Sequence, residues 1–200
     1  MSETGSIKFS CEHVPTPLAE FGGFAELNAC RRKLLQLRML GVDANGIGFG
    51  NVSVRERGTP DFYITGSMTG ALPQLRLADC AKVTAFAFSR NWVRCEGETV
   101  ASSESLTHAA VYESDETASA VIHGHNAELW ERLRDRVPTT SADVEYGTPG
   151  MAHEVQRLFQ NTEVRQRRLF VMGGHRDGIV AFGGTLNEAL AVLQRALIGT

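Results

Sequence analysis

At 200 residues, with 42% hydrophobic and 22% charged side chains, the chain is long enough to bury a full core and has the composition of one globular domain. A net charge of −3 gives no reason to expect nucleic acid or an anionic membrane as partner, and no apolar run approaches a membrane-spanning length. The start, Met-Ser-Glu-Thr-Gly-Ser, lacks the basic region and apolar core of a signal peptide, and Cys11, Cys30, Cys80 and Cys95 have no C-x-x-C spacing, so free thiols in a cytoplasmic protein are expected.

Residues 1–17 are polar and closed by Pro15 and Pro17. They read as a lead-in to a single domain over 18–200, with Ile7-Lys8-Phe9 able to add a short edge strand. Between Leu18 and Leu40, Phe21, Phe24, Leu27, Leu34, Leu35, Leu37 and Leu40 recur at helical spacing. That predicts one long helix, or two broken near Gly22-Gly23, ended by Gly41. The run from Asn45 to Arg55 begins as a glycine-rich turn and becomes a strand, and a second strand, Phe62 to Thr65, enters Gly66-Ser67-Met68-Thr69-Gly70. Glycines admit positive φ, so consecutive N–H groups in both segments can converge on an anion. Strands are expected from Val83 to Phe88 and from Trp92 to Cys95.

Ser102 or Ser103 is placed to cap a helix with Glu104 in its first turn and His108 one turn further on the same face. Val121-Ile122-His123-Gly124-His125 reads as a buried strand, so His123 and His125 point the same way while Gly124 permits close packing behind. Two imidazoles on one face are part of a metal site in the making. A helix carrying Leu129, Trp130 and Leu133 follows, and Thr148-Pro149 opens another through Met151, Val155, Leu158 and Phe159, with His153 exposed. Leu169 to Gly183 reads as a hairpin with His175 at the tip of its first strand, and Thr185-Leu186-Asn187-Glu188 as a capping box opening a final helix.

Gly50-Asn51-Val52-Ser53, Ile64-Thr65-Gly66-Ser67, Ser102-Ser103-Glu104 with His108, His123-Gly124-His125 and His175 occur in an order that resembles the class II aldolase/adducin family over residues 25 to 198. The resemblance implies an α/β fold, a three-layer α/β/α sandwich around a central, mostly antiparallel mixed sheet. It implies a divalent metal, usually Zn2+, on His123, His125 and His175, and Glu104 as acid/base. Gly50, Asn51, Thr65, Gly66, Ser67, Ser102 and Ser103 would bind a substrate phosphate, and a homotetramer is expected. Family aldolases take a tyrosine from a neighbouring subunit as proton donor; Tyr146 is the tyrosine available here, off the family spacing. Here Arg176-Asp177 lengthens the turn after His175, and Asp177 is expected to make that turn, with orienting a metal-binding residue as the alternative.

The chemistry supports these roles on its own terms. Three imidazoles leave an open coordination position, a Lewis acid stabilises an enediolate, and a nearby carboxylate carries the proton. A phosphate can be held by N–H groups and hydroxyls without Lys or Arg. The expected function is therefore a metal-dependent lyase acting on a small phosphorylated or carboxylated hydroxy-ketone. Epimerase, dehydratase or decarboxylase chemistry on the same metal site is the alternative, and a non-enzymatic adducin-like module a weaker one.

Overall fold

The computed structural model describes residues 8–199. Its strands are β1 (Ser10–Pro15), β2 (Gly41–Val42), β3 (Gly48–Phe49), β4 (Asn51–Arg55), β5 (Phe62–Thr65), β6 (Cys80–Ala87), β7 (Trp92–Gly97), β8 (Ala120–His125), β9 (Leu169–Val171) and β10 (Gly178–Gly183). Its α-helices are α1 (Phe24–Gln36), α2 (Ser105–Ser114), α3 (Ala127–Leu133), α4 (Pro149–Asn161), α5 (Val164–Arg167) and α6 (Leu186–Ile198).

Eight strands form one sheet in the order β1-β7-β6-β5-β4-β8-β10-β9, and β2 pairs with β3 separately. Only β1 and β7 run parallel; the other neighbours in the large sheet are antiparallel. Strand alternation divides the core. Along β8, Val121 faces a cluster containing Leu106 of α2 and Val155 of α4. Ala120 and Ile122 face the opposite cluster, with Leu27 of α1, Leu129 of α3 and Leu190 of α6. The result is the expected three-layer α/β/α sandwich around a mixed, mostly antiparallel sheet. Complete burial of side chains such as Leu27 and Ile122 contributes about 1.5–3 kcal/mol each.

Several local expectations hold. Thr148 caps α4, its hydroxyl accepting the Met151 N–H at 3.4 Å, with Pro149 as first helical residue and His153 exposed. Gly124 has Met39 close behind it: a Cβ there would lie 3.2 Å from the Met39 Cβ, and the Met39 carbonyl accepts the His125 N–H at 2.9 Å. Gly50 turns the chain into β4 with φ +74°, and a Cβ there would approach the Met39 carbonyl oxygen to 2.9 Å.

Other details differ. The polar segment read as a lead-in contains β1, which adds to the sheet edge from Ser10, later than Ile7-Lys8-Phe9; Ile7 lies outside the described residues. A single helix, α1, begins only after the Gly23 turn at φ +95° and stops before Leu40. Ser102 and Ser103 do not cap α2: a turn from Ser102 to Ser105 precedes the helix, and Glu104 occupies the cap position. Half of the expected capping box forms at α6. The Thr185 hydroxyl accepts the Glu188 N–H at 3.1 Å, but the Glu188 carboxylate accepts from the Gly184 N–H and from Arg168.

Candidate metal centre and anion-binding cleft

His123 and His125 leave β8 on the face that carries α2 and α4, because two strand positions separate them. His175 comes from the turn between β9 and β10 rather than from a strand tip. The turn is closed by His175 N–H to Met172 O at 3.2 Å and Gly178 N–H to His175 O at 2.9 Å. Among the described residues these three histidines form a group that could hold a metal ion, with one ligand atom of each lying within 4.8 Å of the others. His123 Nε2 is buried and has no hydrogen-bond partner among the described residues, so it is a lone pair or proton awaiting one. Asp177 stays out of the group: at φ +66° it makes the turn, and its carboxylate lies 3.7 Å from Arg176.

Burial favours the neutral rings. It pushes the His125 pKa down to about 4, and burial together with the neighbouring imidazoles holds His123 and His175 well below the ordinary histidine range. Neutral imidazoles are what a divalent cation needs. His108, fully buried, does not reach the metal group. Its Nδ1 lies 2.7 Å from Ser53 Oγ, which also meets the Tyr112 hydroxyl at 2.7 Å. Burial pushes the His108 pKa down to about 3.

These shifts fix the response to acid. His108, His123, His125 and His175 all have folded pKa values below the ordinary 6.5, so the unfolded chain takes up their protons first. Their stabilisation is present above pH 6.5 and is lost as the pH falls. Glu104, with a raised pKa, acts in the opposite sense, but as one group against four. Denaturant midpoints of cation-free protein should therefore fall between pH 7 and pH 5, by an amount worth roughly several kcal/mol; a flat profile would contradict the neutral assignment.

Glu104 is 2% exposed at the start of α2. Its Oε2 accepts the Thr107 hydroxyl at 2.7 Å, while Oε1 has no partner among the described residues. Burial raises its pKa to about 7, against the lowering effects of Thr107 and the charge of Lys8. Tyr146, 4% exposed, packs on the His175 ring with centroids 4.2 Å apart and the planes tilted by 34°. Lys8 closes over the other side, its Nζ 3.8 Å from the Tyr146 ring centroid and 2.7 Å from Glu145 Oε1.

One cleft is lined by Gly50, Asn51, Gly66, Ser67, Ser102, Ser103, Glu104, His123, His125, Tyr146 and His175, and encloses about 440 Å³ including its open mouth. The N–H groups of Met68, Gly70 and Ser103 donate to no acceptor among the described residues, and all three residues line the cleft. Converging orphan donors of this kind suit an anion. Two expected substrate-binding residues have hydrogen-bond partners within the protein. Thr65 does not line the cleft, since its hydroxyl accepts the Val52 N–H at 3.3 Å. The Asn51 amide lies 3.3 Å from His123 Nδ1 and so steadies that ring.

Thr107, Lys8 and Gly178 were not singled out in the sequence. Thr107 had a signal, one helical turn beyond Glu104. Lys8 had none, because its place depends on β1 pairing with the sheet edge.

Residues 36–196 match the family described as Class II Aldolase and Adducin N-terminal domain, and the chain belongs to that family. Solved structures agree on the fold. An L-fuculose 1-phosphate aldolase superposes with a TM-score of 0.66 at 20% identity, over 92% of this chain and 85% of the other. YgbL from Klebsiella pneumoniae, a candidate aldolase, epimerase or decarboxylase, gives 0.66 at 17% identity, over 88% and 87%. The l-fuculose-1-phosphate aldolase of Thermus Thermophilus gives 0.57 at 22% identity, over 86% and 91%. No curated protein matches the sequence significantly. No helix among the described residues is long and apolar enough to cross a membrane.

Proposed function

We propose that this chain is a divalent-cation-dependent lyase that makes or breaks a C–C bond in a small phosphorylated or carboxylated hydroxy-ketone. The observation that carries the reading is the convergence of three neutral imidazoles, two of them buried, an under-bonded buried carboxylate and orphan N–H donors on one cleft. His123, His125 and His175 would hold the cation, with zinc the expected ion for an all-imidazole set. When bound, it supplies Lewis-acid polarisation of the substrate oxygens.

The protein's own residues supply the rest. Glu104 is the proton carrier: Thr107 fixes one oxygen, leaving Oε1 to meet a substrate proton in a site shielded from water. Tyr146 is a second proton-bearing group lining the cleft, held in place by His175 and Lys8. Gly66, Ser67, Ser102 and Ser103 would hold the acid group of the substrate at the end of the cleft formed by the β5 loop and the start of α2. A homotetramer acting in the cytoplasm completes the reading.

The test is cation analysis of protein purified without a histidine tag, combined with a panel of small phosphorylated ketoses and hydroxy-acids. Bound zinc or another divalent ion, with dihydroxyacetone phosphate or pyruvate among the products, is the expected result. An epimeric, dehydrated or decarboxylated product would move the chemistry within the same site. Protein that retains no divalent cation and keeps its activity after Glu104→Gln would defeat the reading.

A further inference from the structure

Arg31 stands in the middle of α1, is 1% exposed, and makes no salt bridge among the described residues. Its NH1 donates to Leu72 O at 2.8 Å and its NH2 to Thr69 O at 2.7 Å, while Nε has no acceptor among the described residues. Asp79, whose charge reaches it, is held by Arg76 at 3.2 Å. The thiols of Cys30 and Cys80 beside it stay protonated, burial pushing both up to about 12. An arginine keeps its proton even when buried, and a buried charge is normally matched by an opposite one. This one meets only carbonyl oxygens.

The Thr69 carbonyl belongs to the stretch that lines the cleft, and Leu72 lies two residues beyond that stretch. In a planar trans peptide the C=O and the following N–H point in opposite directions. With the Thr69 carbonyl turned inward onto Arg31, the Gly70 N–H is turned outward, and Gly70 lines the cleft. The neighbouring Asn28 secures the far end of the same loop, donating to Leu75 O at 3.1 Å and accepting the Leu75 N–H at 2.8 Å.

We propose that Arg31 is a positioning residue for the anionic group of the substrate, acting from behind the 66–72 loop. It holds the Thr69 carbonyl inward so that the Gly70 N–H faces the cleft, and its unmatched charge attracts the anion through one thickness of peptide. It touches neither substrate nor cation. This deepens the functional reading above and rests on the cleft being an anion site. The ligand chemistry is a phosphate or a carboxylate.

The experiment measures binding of inorganic phosphate and, separately, of acetate by calorimetry to wild type, Arg31→Gln and Arg31→Lys, with cation content and thermal unfolding recorded on the same samples. Gln keeps an amide donor for the carbonyls and removes the charge; Lys keeps the charge. For whichever anion the wild type prefers, Arg31→Gln is expected to weaken binding by about tenfold or more, and Arg31→Lys to stay within about threefold, with cation content unchanged. Should Arg31→Gln not fold, the Lys result still decides, because a folded Lys variant weakened by tenfold overturns the role of charge. Wild-type affinity in folded Arg31→Gln, or a wild type that binds neither anion, would also overturn it. Wild type without bound cation but with the Arg31 effect intact supports Arg31 and counts against the lyase reading.

Discussion

Glu104→Gln should lower turnover by roughly 10²- to 10⁴-fold while making the cation-free protein more stable above pH 7. The two effects have one cause. The carboxyl is buried, one oxygen is unpartnered, and its pKa is raised from 4.5 to about 7. Between those values the folded protein holds a proton that the unfolded chain has released, so this group's stabilisation is full below pH 4.5 and is lost as the pH rises through about 7. At higher pH the loss is on the order of 3 kcal/mol, which a neutral glutamine avoids. The Thr107 contact survives the change, because the amide oxygen can accept it. Rates of product formation and denaturant midpoints at pH 6 and 8 check both halves. A carboxylate that served only as the start of α2 would give the reverse pattern: unchanged turnover and a loss of up to about 1 kcal/mol.

Gly178→Ala should weaken cation binding by roughly 10- to 100-fold without altering any ligand. Gly178 pairs with His125 across β8 and β10, and an added Cβ would lie 2.8 Å from His175 Cδ2 and 3.2 Å from His123 Nε2. The backbone carbonyl of His175 is 3.0 Å away on the same side, so the ring cannot simply rotate clear of the methyl group. Competition against a chelating dye, with excess cation restoring activity, would show the effect. Wild-type affinity would mean that His175 is not the third ligand or that its turn yields freely.

The sequence made the centre of the site legible because two periodicities met there. His-Gly-His on an apolar run forces a shared face, and the hairpin signals around Gly178 return His175 to the neighbouring strand. The fold class followed from motifs spread over most of the chain. What was hidden depends on non-local pairing. β1 is polar and short, and takes its strand form from the edge of β7; Lys8 reaches Tyr146 only through that pairing. Arg31 has charged neighbours on its helix, and nothing in its local pattern marks the loop carbonyls that it meets. The cap of α2 was misplaced because Ser102, Ser103 and Ser105 all suit that position. Thr65 sits in the right motif, yet its hydroxyl is consumed by the Val52 N–H next door.

The parallel pairing of β1 has a practical side. It places residue 8 directly over Tyr146, on the layer that carries the cleft. A fusion partner or surface linker joined just ahead of that residue would tug on the site whenever it moved. One joined beyond α6 departs from the opposite helical layer. For immobilising the protein, or for building it into a larger assembly, a joint on the α6 layer acts on the side of the sheet away from the cleft.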